Sequence, residues 1–383
     1  MDKPTVQDIF HRFYPAYLDQ YSPSPVQAKV AHNIMNCKTG AYGANVCVCE
    51  DCGFVQIHYN SCRNRCCPMC QAVPKEMWMD ARREDVLDAP YFHLVFTVPD
   101  ILNSVIYSNQ RLLYDALYHA ASSTISELTA DPKHLGAKVG YICILHTWGS
   151  EMNFHPHIHT ILLGGGLASN NQWKDNGENF FLPIRVISKM FRGKYLEELK
   201  RLWEEDKLVF HGTAEKFRNH YTFKELLDSC YGMDWIPHCK KTFNGAQTVI
   251  KYLGKYTHRI AVSNHRIVRM DDDTVTFLVK DYRNEGQWKE LTISGVEFVR
   301  RFLMHVPPRR FVRIRHYGLL CSRTKSQKLT LCRNLLGCKK YLSKLRDMEM
   351  PEILEHLYGI KVCVCKACGG HLGKPQMKMP LRC

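Results

Sequence analysis

The sequence predicts an α+β protein in which a central, largely antiparallel β-sheet flanked by helices lies between two metal-stabilised flanks. Three observations carry that expectation. Short β-branched and aromatic runs bounded by turn residues, such as YFHLVFTVP from Tyr91, alternate with amphipathic helical stretches. Of the 18 cysteines, eight fall between Cys37 and Cys70 and three between Cys363 and Cys368. And in HPHIHTILLGGG histidines occupy alternate positions where a strand enters the core.

Taken in order, the chain opens with two helical patterns, VQDIFHRFYPAYLDQY and PVQAKVAHNIMNC, the second with Pro25 where a first helical turn tolerates it. A cysteine-rich segment and a helix of alternating charge, PKEMWMDARREDVLDA, follow. The strand at Tyr91 is separated by a helix over about 105–129 from a second strand, VGYICILHTWGS, and then from the histidine strand. Two amphipathic helices over about 185–230, a strand at MDWIPHCKK and a helix at NGAQTVIKYLGKYTHR come next. Short strands with hairpin-like turns fill NHRIVRMDDDTVTFLVKDYRNEGQWKELTI, and the last sixty residues read as helical and basic.

Lys and Arg outnumber Asp and Glu by 52 to 37, for a net charge of +15, which suits a polyanionic partner held through its phosphates. No apolar run is long enough to span a bilayer and the N-terminus lacks a secretory pattern, so a cytoplasmic, nucleoid-associated protein with no membrane partner is expected. In that compartment clustered cysteines read as metal ligands rather than disulfides.

Cys49-x2-Cys52 and Cys67-x2-Cys70, with fourteen residues between the pairs, predict one closed tetrahedral zinc site. Cys37, Cys62 and Cys66 are left for a second ion, with His58 as a further candidate ligand. Near the C-terminus Cys365 and Cys368 form one clear pair, with Cys363, His371 and Cys383 as candidates to complete it. Arg63 and Arg65, on the same knuckle as the first group, are candidate phosphate contacts.

Alternation along a strand puts His157 and His159 on one face and Ile158 on the other. His155 shares their parity, but Pro156 and its place at the strand start leave its direction open. Two imidazoles hold a catalytic ion poorly, and a hairpin would bring His146 of the preceding strand alongside as a third ligand. Downstream, YLGKY spaces Tyr252 and Tyr256 one helical turn apart on a stretch that also carries Lys251, Lys255, His258 and Arg259. A phenolate is a competent nucleophile toward phosphorus in such a cationic field when a divalent ion polarises the phosphate.

Together HPHIH, YLGKYTHRIAVSNHRI, HLVFTVP, LHTWGS and CEDCG…SCRNRCCPMCQ resemble the two-tyrosine HUH rolling-circle transposases of bacterial insertion sequences (insertion sequence family ninety-one), relatives of the Helitron transposases. The resemblance covers almost the whole chain; where the family pattern often has a histidine in the knuckle, this chain has Cys66. It implies an HUH-endonuclease core over 91–320, a helical zinc-binding DNA-recognition domain over 1–90, and a small basic helical region over 321–383. It implies Mg²⁺ or Mn²⁺ on His157, His159 and His146, structural Zn²⁺ on the cysteines, and Tyr252 and Tyr256 as alternating nucleophiles, with Lys255 stabilising the phenolate or the leaving oxygen and Arg259 contacting DNA. The implied partners are single-stranded and hairpin DNA at transposon ends, target DNA and the host replication machinery. No GxxxxGK[ST] stretch is present, so unwinding falls to host enzymes. A plasmid replication initiator or relaxase with the same chemistry, and a non-catalytic zinc-dependent DNA-binding protein, are the alternatives.

Overall fold

The computed structural model describes residues 3–176, 182–235, 237–243, 248, 254, 260–281, 286–374 and 376–378. Helices α1 (Val6–Gln20) and α2 (Pro25–Met35) each begin in a capping box, Thr5 with Asp8 and Ser24 with Gln27, which satisfies otherwise orphaned N–H groups. The hairpin of β1 (Ala44–Val48) and β2 (Val55–Tyr59) leads to α3 (Ala72–Arg83). Then come β3 (Tyr91–Thr97), α4 (Asn103–Ser108), α5 (Gln110–Ala130), β4 (Lys138–Trp148), β5 (Phe154–Leu167) and β6 (Trp173–Asp175). Helices α6 (Ile184–Glu204) and α7 (His220–Gly232) precede β7 (His238–Phe243). The chain continues through β8 (Ile267–Met270), β9 (Thr274–Asp281), β10 (Gln287–Ser294) and α8 (Gly295–Met304). It ends with β11 (Ile314–Gly318), α9 (Lys325–Leu336), α10 (Met350–Tyr358) and β12 (Gln376–Lys378).

The expected α+β class with a central antiparallel sheet is what forms. The sheet runs β11–β4–β5–β3–β7, with β6 beside the far end of β5, and every pairing is antiparallel. Phe92, Leu94, Phe96, Cys143, Leu145, Ile158 and Leu162 of one face pack against α5 and α6. On the other face Tyr91, Ile142, Ile144, Ile161 and Leu163 meet Met79 of α3 and Leu329 and Cys332 of α9. Because helices cover both faces, β4 and β5 are buried almost throughout rather than alternately.

Residues 260–306, which the sequence groups with the central sheet, share a core with the N-terminal helices instead. Ile9, Phe10 and Phe13 of α1 and Ile34 of α2 pack on Val275 and Phe277 of β9 and on Phe298 and Phe302 of α8. This second core grips the tip of the β4–β5 hairpin. Ser150 accepts from Arg266 at its carbonyl (2.6 Å) and from the Lys280 backbone N–H at its hydroxyl (2.6 Å). The Glu151 carbonyl accepts from Arg301 at 2.9 Å and the Met152 carbonyl from His305 at 3.0 Å. Met152 takes a left-handed backbone (φ 58°), and its side chain is wholly buried in the second core, which holds that unfavourable conformation in place. No helix among the described residues is long and apolar enough to cross a membrane.

His305 donates from Nε2 to the Met152 carbonyl and therefore accepts at Nδ1 from the Thr147 hydroxyl, 3.2 Å away, so it fits its site only when neutral. Burial, opposed by the Met152 carbonyl and helped by Arg300 and Arg301, brings it down to about 4 from 6.5. The unfolded chain then takes up the proton first as pH falls. The stability from this group is full above about pH 6.5 and is lost between there and about pH 4, on the order of 3 kcal/mol in all. Urea denaturation of wild type and His305→Gln at pH 7 and pH 4.5 is expected to show the variant losing less stability on acidification; equal losses would contradict this.

Candidate active site

The antiparallel register sets His146 of β4 directly opposite His157 of β5, and Val95 and Thr97 of β3 opposite His159 and His157. The three predicted ligands thus share one face at one end of the sheet, with their ring nitrogens within 4.8 Å of one another. The Nε2 atoms of His157 and His159 are 3.1 Å apart. Two nitrogens bound at adjacent positions of one ion, at about 2.1 Å each, would stand about 3 Å apart. The ring of His146 meets that of His159 edge-on at 4.5 Å and is backed by Trp148, stacked at 4.5 Å. His155 turns aside to Asp100, with Nδ1 3.1 Å from Oδ1.

Burial lowers His157 to about 4 and carries His159 well below its ordinary value, with His146, His157 and His93 adding to the latter. Both are therefore neutral near pH 7, as ligands must be. The Nδ1–H of His157 donates to the His155 carbonyl at 2.7 Å, which leaves its Nε2 lone pair facing the cluster.

His93, which the sequence reading passed over, completes the arrangement. From β3 its Nε2 lies 2.9 Å from Nδ1 of His159, with the rings stacked at 5.1 Å. If Nε2 of His159 binds a cation, Nδ1 must carry the proton and His93 must accept it. In the alternative tautomer His93 donates, and Nε2–H of His159 turns to His157. The sequence signal was there: His93 lies four residues before Thr97 on a strand of period two, but its partner depends on a pairing between strands distant in sequence.

Tyr252, Tyr256, Lys255 and Arg259 lie outside the described residues, as do Lys251, His258 and Cys383. Gly254, between the two tyrosines in sequence, is described. It is buried where a methyl group would overlap the sulfur of Met79 on α3 and press on Lys75.

The expected zinc pairing is corrected. Cys49 and Cys52 do not join Cys67 and Cys70; the groups are Cys37, Cys62, Cys67 and Cys70, and Cys49, Cys52, Cys365 and Cys368. The β1–β2 hairpin separates them. Cys37 precedes β1 and Cys62 follows β2, at the open end, whereas Cys49 and Cys52 form its tip. Five residues of strand put about 16 Å between the two ends. Cys66 joins neither group, because its neighbour Cys67 takes the inward position; the Cys66 thiol is buried, pushed up by burial and opposed by the charges of Arg313 and Arg65. His58 pairs with Gln56 at 2.7 Å, and Cys363 and His371 stay exposed outside the second group.

Sulfur separations of 3.8 Å between Cys62 and Cys70 and 3.5 Å between Cys49 and Cys368 are far longer than a disulfide bond and match thiolates on a shared ion. Arg63 is exposed with a left-handed backbone (φ 53°). Arg65 is tied instead to the carbonyls of Phe311 (2.6 Å) and Pro308 (3.3 Å), fastening the zinc knuckle to the loop before β11.

A family model described as "Putative transposase" matches residues 140–328, and one described as "Transposase zinc-binding domain" matches residues 9–98. The chain is 40% identical over 369 residues to a protein of Sinorhizobium fredii described as "Putative transposase y4qJ", covering 95% of this chain and 93% of that one. It is 30% identical over 309 residues to the transposase for insertion sequence element IS801 of Pseudomonas savastanoi pv. phaseolicola, covering 79% of this chain and 72% of that one. Among solved structures, the metal-free conjugative relaxase TrwC in complex with oriT DNA aligns with a TM-score of 0.24 at 13% identity, over 43% of this chain and 71% of that one. A copper-bound form aligns with a TM-score of 0.26 at 12% identity, over 67% and 96%. The chain belongs to the rolling-circle transposases of insertion sequence family ninety-one, DNA strand-transferring nucleases with an N-terminal zinc-binding domain.

Proposed function

We propose that His146, His157 and His159 hold one divalent cation, Mg²⁺ or Mn²⁺, against the scissile phosphate of a single-stranded transposon end, and that Tyr252 and Tyr256 are the alternating nucleophiles. The observation that carries this is the convergence of three imidazoles on one point, two of them neutral through burial and one with its outer nitrogen fixed on a carbonyl. A bound cation would draw charge from the phosphoryl oxygen. Imidazole is a softer donor than Mg²⁺ prefers, so of the two Mn²⁺ is the better fit.

In the cleavage step a tyrosine hydroxyl loses its proton and its oxygen attacks phosphorus. The P–O3′ bond breaks, its electron pair leaves on the 3′ oxygen, and that oxygen takes a proton. The 5′-phosphotyrosine conserves the ester energy for rejoining. Lys255, three residues after Tyr252, stabilises the phenolate or the leaving oxygen in this reading. The freed 3′-hydroxyl is open to a host polymerase, and the second tyrosine attacks the target or the other end, so that two covalent links coexist. The zinc-binding domain and the basic flanks, with Arg63 and Arg259, hold the hairpin end, in a protein acting in the cytoplasm on the nucleoid. A replication initiator or relaxase would use the same chemistry; the zinc-domain match over residues 9–98 favours the transposase.

Labelled single-stranded ends incubated with Mn²⁺ or Mg²⁺ are expected to give a covalent protein–DNA band on a denaturing gel. It should persist in Tyr252→Phe and Tyr256→Phe and vanish in the double variant. Adduct formation in the double variant would refute the two nucleophiles, and intact DNA binding without any adduct would favour a non-catalytic zinc-dependent binder. His93→Phe is expected to weaken Mn²⁺ binding about 10–100-fold by calorimetry while the chain stays folded, with His93→Gln, which keeps an acceptor, losing less. Gly254→Val should cost about 1–3 kcal/mol through overpacking, recovered in part by Met79→Ala; an additive double variant would show that the two residues do not press on each other.

A further inference from the structure

The second cysteine group is built from two copies of one device. CEDCG (49–53) and CKACG (365–369) each place a glycine of left-handed backbone right after the second cysteine, Gly53 at φ 70° and Gly369 at φ 79°. In each, the glycine N–H closes the turn on the first cysteine's carbonyl, Gly53 to Cys49 at 3.0 Å and Gly369 to Cys365 at 2.9 Å. Backbone N–H groups also point at the sulfurs. Phe54 donates to Cys52, and Gly370 and Ala367 donate to Cys368 and Cys365 at 3.4 Å each. The two knuckles face each other, with Cys49 3.5 Å from Cys368 and Cys52 3.8 Å from Cys365 at sulfur. Four sulfurs about 2.3 Å from a tetrahedral ion stand about 3.8 Å apart.

Backbone contacts seat the far segment on the hairpin. β12 pairs with β1, Gly373 donates to the Val48 carbonyl at 2.9 Å, and Glu50 donates to that of His371 at 3.1 Å. Apolar packing contributes little. The local core is Cys47, Cys49, Cys365 and Leu372, and among the described residues from 359 to 378 only Cys365 and Leu372 are buried. Four side chains cannot offset the entropy of ordering some twenty residues at about 1–2 kcal/mol each. Four thiolates this close would also repel one another without a cation among them.

We infer that Cys49, Cys52, Cys365 and Cys368 form a second structural zinc site shared by the two ends of the chain, and that this ion clasps the C-terminal segment onto the N-terminal domain. The family's zinc-binding match ends at residue 98 and supplies only half of the ligands. The clasp therefore makes the basic tail, with Lys361, Lys366 and Lys374 exposed, a fixed part of the DNA-holding unit.

The test is zinc stoichiometry and tail protection in the full-length protein. Wild type should carry two zinc ions per chain by mass spectrometry, and Cys365→Ser/Cys368→Ser and Cys49→Ser/Cys52→Ser one each. In both double variants trypsin should cut at Lys361 or Lys366 at least about tenfold faster, as local unfolding predicts. Cys368→His keeps a ligand and should retain two ions and a protected tail. Two ions in either double variant would overturn the proposal. So would a wild-type tail that stays equally protected after a chelator has removed its zinc, a readout that does not depend on any variant folding.

Discussion

Everything at the candidate active site depends on keeping three imidazoles unprotonated, side by side and out of water. Burial supplies the first condition by penalising the charged form of His157 and His159. The second comes from register, since one residue of slip between β4 and β5 would send His146 to the opposite face. A two-stranded hairpin is weakly registered by itself, and here the tip is fixed from outside. Arg266, Arg301 and His305 bind its backbone carbonyls, the Lys280 backbone N–H donates to the Ser150 hydroxyl, and the buried Met152 side chain anchors it. That grip explains why residues 260–306 fold against the N-terminal helices: together they form the brace that sets the histidine register.

The cysteine groups solve a different problem. The β1–β2 hairpin has two short strands with Val48, Val55, Ile57 and Tyr59 exposed, too little buried surface to be stable alone. A thiol cluster at each end holds it where a core cannot. The first group lies between Cys37 at the end of α2 and Cys70 at the start of α3, so it orients both helices as well as the hairpin.

Period-two alternation made His157 and His159 legible from sequence, and a short hairpin made His146 legible, because both signals are local. His93 required the β3–β5 pairing, and those strands are separated by α4, α5 and β4. The α+β class and nearly every helix were readable from apolar period and caps, though α3 stops at Arg83 where the sequence pattern continued toward Ala89. The zinc pairing was illegible for a combinatorial reason. Three C-x2-C pairs look alike in sequence, nothing local says which two share an ion, and the true partner of Cys49 and Cys52 lies more than three hundred residues away.

One contact joins the two halves of the argument. α3 starts two residues after Cys70, so the first cysteine group fixes where that helix begins and how its face is turned. On that face Met79 lies against Gly254, the residue midway between Tyr252 and Tyr256 in sequence, while its other neighbours belong to the histidine-bearing sheet's apolar half. A glycine there leaves room for the Met79 sulfur against the backbone, where a Cβ would overlap it unless Met79 shifted. The domain that binds zinc is thus packed, through a single helix, on both the sheet that carries the imidazoles and Gly254. Under the proposed two-tyrosine mechanism, a rigid link of that kind would let the DNA end gripped by one part meet the attacking oxygen supplied by another.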